Sequence, residues 1–310
     1  MKTQWRVRLV LAACLFLGGV LPARAENRVP AGETAKTQVL IVVGPSKHPP
    51  GTHEVAAGGR VIQYLLEHAQ GGKPIEAKVV CEWPKDQTVF ANLATIVFTG
   101  DMFPGETLPE PAKIKAQLAS LMERGCGMVC LHFATGLRTQ HVPADGDHPL
   151  LRWIGGYYAS GCPHHKSVAM ICTATIAPAE GDNPILRGWK AFTLEDEPYF
   201  NNYFGKDGMA RNVTPLAYSM LPPQSPKKEV VAWAIQRPDG GRGLGVVMPH
   251  FFHNWKNDDL RTLILNGIVW TARLDIPPGG VKATLPDLAT FAPSAMEPSP
   301  KPVKKTKQAK

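Results

Sequence analysis

The chain has 310 residues, of which 44% are hydrophobic and 19% charged, so it can bury one or two cores and is not wholly disordered. Its net charge of +8 lies at the two ends, because four cations precede residue 26 and five lysines fall in the last ten residues. The body over residues 26–300 carries about −1, which argues against a nucleic-acid partner.

Residues 1–25 combine the four cations with an apolar run from Leu9 to Leu21 that ends in Ala23-Arg24-Ala25. This pattern predicts a signal peptide, and therefore an exported protein of the periplasm or the extracellular space. The run is shorter than the roughly 20 apolar residues of a membrane span, so no transmembrane helix is expected. The segment Leu11-Ala12-Ala13-Cys14 also matches a lipoprotein box, which keeps lipidation open as an alternative.

After a short linker over residues 26–37, apolar runs alternate with helical periodicity. We predict strands over 38–43, 75–81, 94–99 and 127–131, and helices over 54–70 and 111–124. This alternation indicates an α/β domain with a mostly parallel sheet and helices on both faces. Ligands bind such sheets beyond the carboxyl ends of the strands.

The second half is less regular, with predicted strands over 167–176, 229–235 and 244–248 and a closing helix over 257–272. One domain over residues 38–275 accounts for all of these elements. From residue 276 prolines interrupt any regular pattern, which predicts a disordered Pro- and Lys-rich tail over 276–310. Its lysines suit attachment to an anionic envelope.

Five cysteines follow residue 25, and no CxxC pair occurs. The sequence leaves open whether Cys162 and Cys172 form a disulfide bond or stay free. Cys130 lies inside the predicted strand over 127–131, while His132 takes the elbow position where a nucleophile would stand. Amidase chemistry with Cys130 as the nucleophile is a third interpretation, less favoured than the two functions given below.

Seven histidines fall at predicted strand ends or in the loops that follow strands: His48, His53, His132, His164, His165, His250 and His253. If the sheet is parallel, His132 and His250 reach the same edge as the loop after the first strand. Glu197, in the acidic aromatic segment 194–200, adds a carboxylate. Imidazoles and a carboxylate in one cleft suit general acid/base catalysis or a metal site.

Each of these residues also has a structural interpretation. His132 and His250 follow apolar runs and fit buried packing positions, and Glu54 fits the positive end of a helix dipole. The aromatic residues fit an ordinary core. Solvated loop positions fit His48, His164, His165 and His253.

Five segments in a fixed order carry more information than any single motif. They are the loop with His48 and His53-Glu54; Val129-Cys130-Leu131-His132; residues 153–158 followed by His164-His165; Asn183-Pro184-Ile185 leading to Asp196-Glu197-Pro198-Tyr199; and Val231-Ala232-Trp233 through Gly241-Arg242-Gly243 to Pro249-His250 and residues 266–272. Together they resemble the ThuA-like (trehalose-utilisation) family, in its exported bacterial form. Asn183 and Pro249 depart from the commoner histidine and glycine of that pattern.

The resemblance implies a flavodoxin-like sheet of the class I glutamine-amidotransferase type without the catalytic cysteine. It further implies an enzyme that acts on a sugar or keto-sugar, as a hydrolase or isomerase, by His/Glu acid-base or metal-assisted chemistry. The alternative is a non-catalytic module that binds a sugar or a partner in the same cleft. Neither the substrate nor the oligomeric state follows from the sequence.

The residues implied in this function form three groups. The catalytic candidates are His132, Glu197 and His250. A divalent metal, zinc or a similar ion, would be held by His132, His164, His165 and Glu197. The residues expected to bind the small carbohydrate are His48, His53, Glu54, Tyr157, Tyr199, Arg242 and Trp255.

Overall fold

The computed structural model describes residues 36–291, which hold thirteen strands and five α-helices. The strands are β1 (Thr37–Val43), β2 (Ile75–Val80), β3 (Leu93–Thr99), β4 (Gly127–Leu131), β5 (Gly136–Arg138), β6 (Tyr158–Ser160), β7 (Val168–Ala169), β8 (Cys172–Pro178), β9 (Phe192–Asp196), β10 (Tyr199–Phe200), β11 (Val213–Leu221), β12 (Lys227–Gln236) and β13 (Arg242–Val246). The helices are α1 (Val55–Glu67), α2 (Pro104–Thr107), α3 (Pro111–Glu123), α4 (Pro149–Trp153) and α5 (Asp258–Thr271).

Nine strands form one sheet in the order β2-β1-β3-β4-β13-β12-β11-β8-β9. Its first five strands are parallel and have the 2-1-3-4-5 order of flavodoxin-like folds. Alternate residues of β1 enter two cores, with Ile41 in the core that includes α1 and α5, and Leu40 in the core that includes α3. Helices therefore cover both faces, as predicted.

The parallel half also fixes where a ligand can bind. In the strand order, β2 lies along one edge of β1 and β3 lies along its other edge. The loops after β1 and β3 consequently leave in opposite directions and open a crevice between the carboxyl ends of these strands. Asn257 caps α5 by accepting a hydrogen bond from the backbone N–H of Leu260 (2.9 Å), which anchors the helix that closes this half.

The prediction of a mostly parallel sheet is wrong. Across residues 36–291, four pairings of the large sheet are parallel and four are antiparallel, the latter joining β13 through β12, β11 and β8 to β9. The strands β9 and β11 were not predicted. Pro215 interrupts β11 with a register shift, so the segment does not show the unbroken apolar pattern of a central strand.

The predicted disordered tail begins too early. Residues 276–291 lie against the domain, with Ile276, Val281, Leu288 and Phe291 all buried in its core. The backbone N–H of Val281 donates to Oδ1 of the buried Asn266 (2.7 Å), so burial of spaced apolar residues orders the segment, which contains a short 3-10 helix over Leu288–Phe291.

The predicted signal peptide, nearly all of the linker and the rest of the tail lie outside the described residues. Within residues 36–291, no helix is long and apolar enough to cross a membrane.

Candidate functional site

Three histidines from the ends of parallel strands meet at the crevice. His53 lies in the loop after β1, His132 directly follows β4, and His250 follows β13. The Nε2 atom of His53 lies 2.9 Å from Nε2 of His132 and 2.9 Å from Nδ1 of His250, and the last two atoms are 3.1 Å apart. All three side chains are buried, so the fold brings three ring nitrogens to one point away from bulk water.

Glu197 adds a carboxylate from the turn between β9 and β10. Its Oε2 lies 3.3 Å from Nδ1 of His250 and 3.9 Å from Nε2 of His132. The Glu197 side chain is 22% exposed, so it faces the open side of the cluster. Ligand atoms of His53, His132, His250 and Glu197 all lie within 4.8 Å of one another, and this group could hold a metal ion. We call these four residues the His/Glu cluster.

The outer nitrogens of two histidines have fixed partners. Nδ1 of His53 donates to Oδ1 of Asp101 (2.6 Å), and Nδ1 of His132 donates to the carbonyl of Val247 (3.0 Å). A carbonyl and an ionised carboxylate accept hydrogen bonds, so both protons sit on the Nδ1 atoms. The Nε2 atoms therefore present lone pairs to the centre of the His/Glu cluster.

Burial sets the charge of these groups. Burial lowers the pKa of His132 well below its ordinary value, and the neighbouring His53 lowers it further. Burial also lowers the pKa of His53, although its hydrogen bond to Asp101 opposes the shift. For Asp101 burial would raise the pKa, but hydrogen bonds from His53 and the backbone of Lys47 outweigh it and the pKa is lowered. Neutral imidazoles thus stand beside an ionised carboxylate.

An aromatic wall borders one side of the His/Glu cluster. The ring of Tyr199 stacks between His132 and Tyr158, at 4.5 and 4.1 Å between ring centroids. Its hydroxyl lies 3.0 Å from Nε2 of His132, beside the cluster centre. Burial raises the pKa of Tyr199 well above its ordinary value, so the hydroxyl keeps its proton. Half-buried Phe133 extends the wall, 5.7 Å from the ring of His53.

A sharp backbone turn places both the histidine and the wall. His132 has a φ of +46°, a left-handed conformation that is unfavourable for a residue with a Cβ. The turn ends β4 and starts a short 3-10 helix over His132–Thr135, so consecutive residues point to the cluster and to its border.

The mouth of the site is polar. His48 is 32% exposed, stacks on His53 and places its Nδ1 3.0 Å from Oδ1 of Asp101. Asp101 itself is 16% exposed. Because its Oδ1 contacts Nδ1 of both histidines, its carboxylate joins the buried His53 to the accessible His48. A cavity of about 30 Å³ lies beside the imidazoles, with Trp255 in its lining, and has room for one ion or water molecule.

Three predicted residues belong to a separate network. Nε2 of His164 lies 2.8 Å from the hydroxyl oxygen of Tyr157, and that hydroxyl donates its proton to the carbonyl of Gly146. Nε2 of His165 donates to the carbonyl of Asn201 (2.6 Å). The prediction that His164 and His165 help to hold the metal, and that Tyr157 binds substrate, therefore finds no support in their positions.

Of two further predicted substrate-binding residues, Arg242 lies away from the His/Glu cluster, whereas Glu54 lines the cavity beside the imidazoles. Arg242 begins β13, whereas His250 follows the other end of that strand. The guanidinium of Arg242 stacks on the ring of Trp270 and donates to the carbonyl of Trp270. Placing Arg242 at the cleft was wrong because it enters from the opposite edge of the sheet. Glu54 accepts a hydrogen bond from the backbone N–H of Gly51 (2.7 Å), which braces its own loop.

Cysteine chemistry has no support in the structure. Cys130 is fully buried in β4, and burial raises the pKa of its thiol, which disfavours the reactive thiolate. Cys162 and Cys172 have free thiols, so no bridge joins them.

Sequence reasoning missed two acidic residues. Asp101 follows β3 at the switch point of the sheet. Its position just after a predicted parallel strand could have identified it as a candidate site residue. Asp196 is only 1% exposed at the end of β9, and burial raises its pKa to about 6 although three backbone hydrogen bonds oppose the rise. The contacts of Asp196 depend on antiparallel strands that the sequence did not predict.

No protein-family model matches the chain, and no curated protein matches it. A solved structure of a putative ThuA-like protein from Bacteroides uniformis ATCC 8492 is 14% identical, with a TM-score of 0.54 over 78% of this chain and 94% of that one. The carbohydrate deacetylase Agd3 is 11% identical, with a TM-score of 0.48 over 77% of this chain and 32% of that one. A glutamine amidotransferase from Methylobacillus flagellatus is 10% identical, with a TM-score of 0.34 over 69% and 70%. The first of these likenesses shows that the chain shares the α/β fold of that solved structure.

Proposed function

We propose that His53, His132, His250 and Glu197 bind one divalent metal ion, zinc or a similar ion. The observation that carries this proposal is the 2.9 Å separation of two Nε2 atoms, of His53 and His132, whose protons are both on Nδ1. Two lone pairs at this distance repel each other unless a metal ion or a proton lies near them, and a metal ion would also engage Nδ1 of His250 and the carboxylate of Glu197. Three imidazoles and a carboxylate are a donor set that zinc and related ions accept.

We further propose that this centre belongs to an enzyme that acts on a small carbohydrate, a sugar or keto-sugar. When bound, the ion supplies Lewis acidity toward a carbonyl or hydroxyl oxygen. Glu197 lies at the open side and is placed either to ligate or to accept a proton from the substrate. The hydroxyl of Tyr199, 3.0 Å from Nε2 of His132, lies beside the same point.

The groups at the mouth complete this scheme. Oδ1 of Asp101 lies 2.6 Å from Nδ1 of His53 and 3.0 Å from Nδ1 of His48 and accepts hydrogen bonds from both, so one carboxylate orients both rings. His48 is exposed enough to exchange protons with water, whereas His53 is not. Proton movement at the mouth is therefore assigned to His48, and the buried imidazoles keep their positions.

Two features support a sugar as substrate. The site combines carboxylates and the imidazole of His48 with the half-buried ring of Phe133, and sugars offer hydroxyls and an apolar ring face to such surfaces. The ordered segments that resemble the trehalose-utilisation family support the same class. Export to the periplasm or extracellular space, and attachment to the envelope through the C-terminal lysines, complete the proposal and depend on residues 1–25 and 301–310.

Metal analysis and a sugar-turnover screen on the purified full chain test the proposal. We expect about one equivalent of a divalent metal, and turnover that a chelator abolishes and added metal restores. His132→Ala should lose metal and turnover, whereas His165→Ala should retain both. A wild-type protein that binds sugars without converting any would support the non-catalytic alternative, and one that binds no divalent ion would rule out the metal centre.

A further inference from the structure

One oxygen of Asp196 holds the backbone of two members of the His/Glu cluster. Its Oδ1 accepts hydrogen bonds from the N–H groups of His250 (2.7 Å), Glu197 (3.0 Å) and Phe251 (3.2 Å). Asp196 ends β9 and is 1% exposed. The carboxylate therefore joins the β9–β10 turn to the loop after β13, which lies 54 residues along the chain.

Strand pairing does not bring these two segments together. In the sheet order, β12, β11 and β8 stand between β13 and β9, so a flat sheet would separate the last two by roughly 19 Å at about 4.8 Å per strand. β8 pairs with β11 through only two residue pairs near its end, which lets the β8–β9 hairpin leave the sheet. Side chains must therefore close the gap, and besides Asp196 the amide of Asn254 donates to the carbonyl of Glu195 (2.9 Å).

The second oxygen of Asp196 makes no comparable contact. Oδ2 is buried and has no hydrogen-bond partner among residues 36–291. A buried carboxylate oxygen without a partner destabilises the folded state. A buried carboxylate of this kind calls for an explanation, and its three contacts to backbone N–H groups of the cluster segments supply one.

We propose that Asp196 is a positioning residue, which sets the 3.3 Å separation between Oε2 of Glu197 and Nδ1 of His250 by fixing the backbone of both residues. This inference rests on the proposed metal centre. The acceptor oxygen does the positioning, since one atom reaches all three N–H groups. Asp196→Asn retains that acceptor, whereas Asp196→Ala removes it.

The test compares three variants of the full chain. Asp196→Ala should lower the affinity for Zn²⁺ about 10- to 100-fold, the usual effect of removing a group that orients metal ligands, and should change the absorption spectrum of bound Co²⁺. Asp196→Asn should stay within about 3-fold of wild type. Glu106→Ala is the matched control, because Glu106 is a buried carboxylate that pairs with His148 and Lys115 outside the His/Glu cluster.

A metal-free measurement keeps this inference separate from the proposed function. In the apo protein, the imidazole ¹⁵N resonances of His250 should shift in Asp196→Ala and return in Asp196→Asn, while those of His148 stay in place. If wild type binds no metal, the metal centre fails, and the His250 resonances still decide the role of Asp196.

Three results would overturn the positioning role. They are unchanged His250 resonances in Asp196→Ala, equal losses of Zn²⁺ affinity in Asp196→Ala and Glu106→Ala, and a tenfold or greater loss in Asp196→Asn. The last result is decisive even if Asp196→Ala does not fold.

Discussion

Two groups of histidines in this molecule differ in how their nitrogens are used. In the His/Glu cluster, ring nitrogens of His53, His132 and His250 approach one another within 2.9 to 3.1 Å. The adjacent residues His164 and His165 instead direct their Nε2 atoms to a tyrosine hydroxyl and to a backbone carbonyl. The histidines of the His/Glu cluster leave lone pairs facing a common point, whereas the Nε2 atoms of His164 and His165 form hydrogen bonds with neighbouring loops.

The difference lies in the elements that carry the residues. Residues that follow the carboxyl ends of the parallel strands β1, β4 and β13 converge although they are 79 and 118 positions apart. Neighbours in one loop point in different directions. A metal-capable site therefore depends on convergent strand ends and on partners for the outer nitrogens, more than on closeness in sequence.

The strongest prediction is that only the first group binds metal tightly. Structural zinc sites gain about 10–16 kcal/mol from some four ligands, so each ligand is worth about 2.5–4 kcal/mol. His132→Ala and His250→Ala should therefore lower Zn²⁺ affinity about 100- to 1,000-fold, whereas His165→Ala changes it by less than about 2-fold. Competition with a chromogenic chelator measures all three. Equal losses in the His165 and His132 variants would remove the distinction between the groups.

The second prediction concerns the partner of an outer nitrogen. Asp101→Ala frees Nδ1 of His53, so the ring can turn or change tautomer, and Zn²⁺ affinity should fall about 10- to 100-fold. Asp239→Asn is a suitable control, because Asp239 pairs with the buried Arg237 and not with the cluster. Wild-type affinity in Asp101→Ala would show that the hydrogen bond to His53 does not prepare the site.

The parallel half of the fold could be predicted from sequence because its strands are continuous apolar runs followed by helical periodicity. The strand over 38–43 and the helix over 54–70 correspond to β1 and α1. The antiparallel half could not be predicted in the same way. β9 is a five-residue edge strand whose buried side chains alternate with exposed ones, and its last inward residue is Asp196.

The same division explains the site. His132 and His250 were predictable because each follows an apolar strand, and strand order brings them together. Asp101 also follows a strand, but a single acidic residue after glycine resembles an ordinary turn. Asp196 depends on the β8–β9 hairpin leaving the sheet, and Arg242 was misplaced because the direction of β13 decides which of its ends faces the crevice.

The third prediction is the pH dependence of stability in the metal-free protein. His132 has a lowered pKa in the fold, so below about 6.5, where an unfolded histidine takes up a proton, the unfolded state binds more protons than the folded state. Stability should therefore fall as the pH drops from 7.5 to 5.5. His132→Gln removes this contribution, so its unfolding free energy should depend less on pH, by up to about 1.4 kcal/mol per pH unit.

Urea unfolding of the metal-free variants at several pH values measures this effect. The buried Asp196 acts in the opposite direction, because its raised pKa of about 6 means that the folded state takes up a proton first as the pH falls. That contribution is present in wild type and in His132→Gln alike, so it cancels in the difference. Asn257→Ala is the control, since removal of the α5 cap should lower stability by about 1 kcal/mol at every pH without changing the slope. Equal slopes in wild type and His132→Gln would mean that His132 is not held neutral, which would also remove the lone pair that a cation requires.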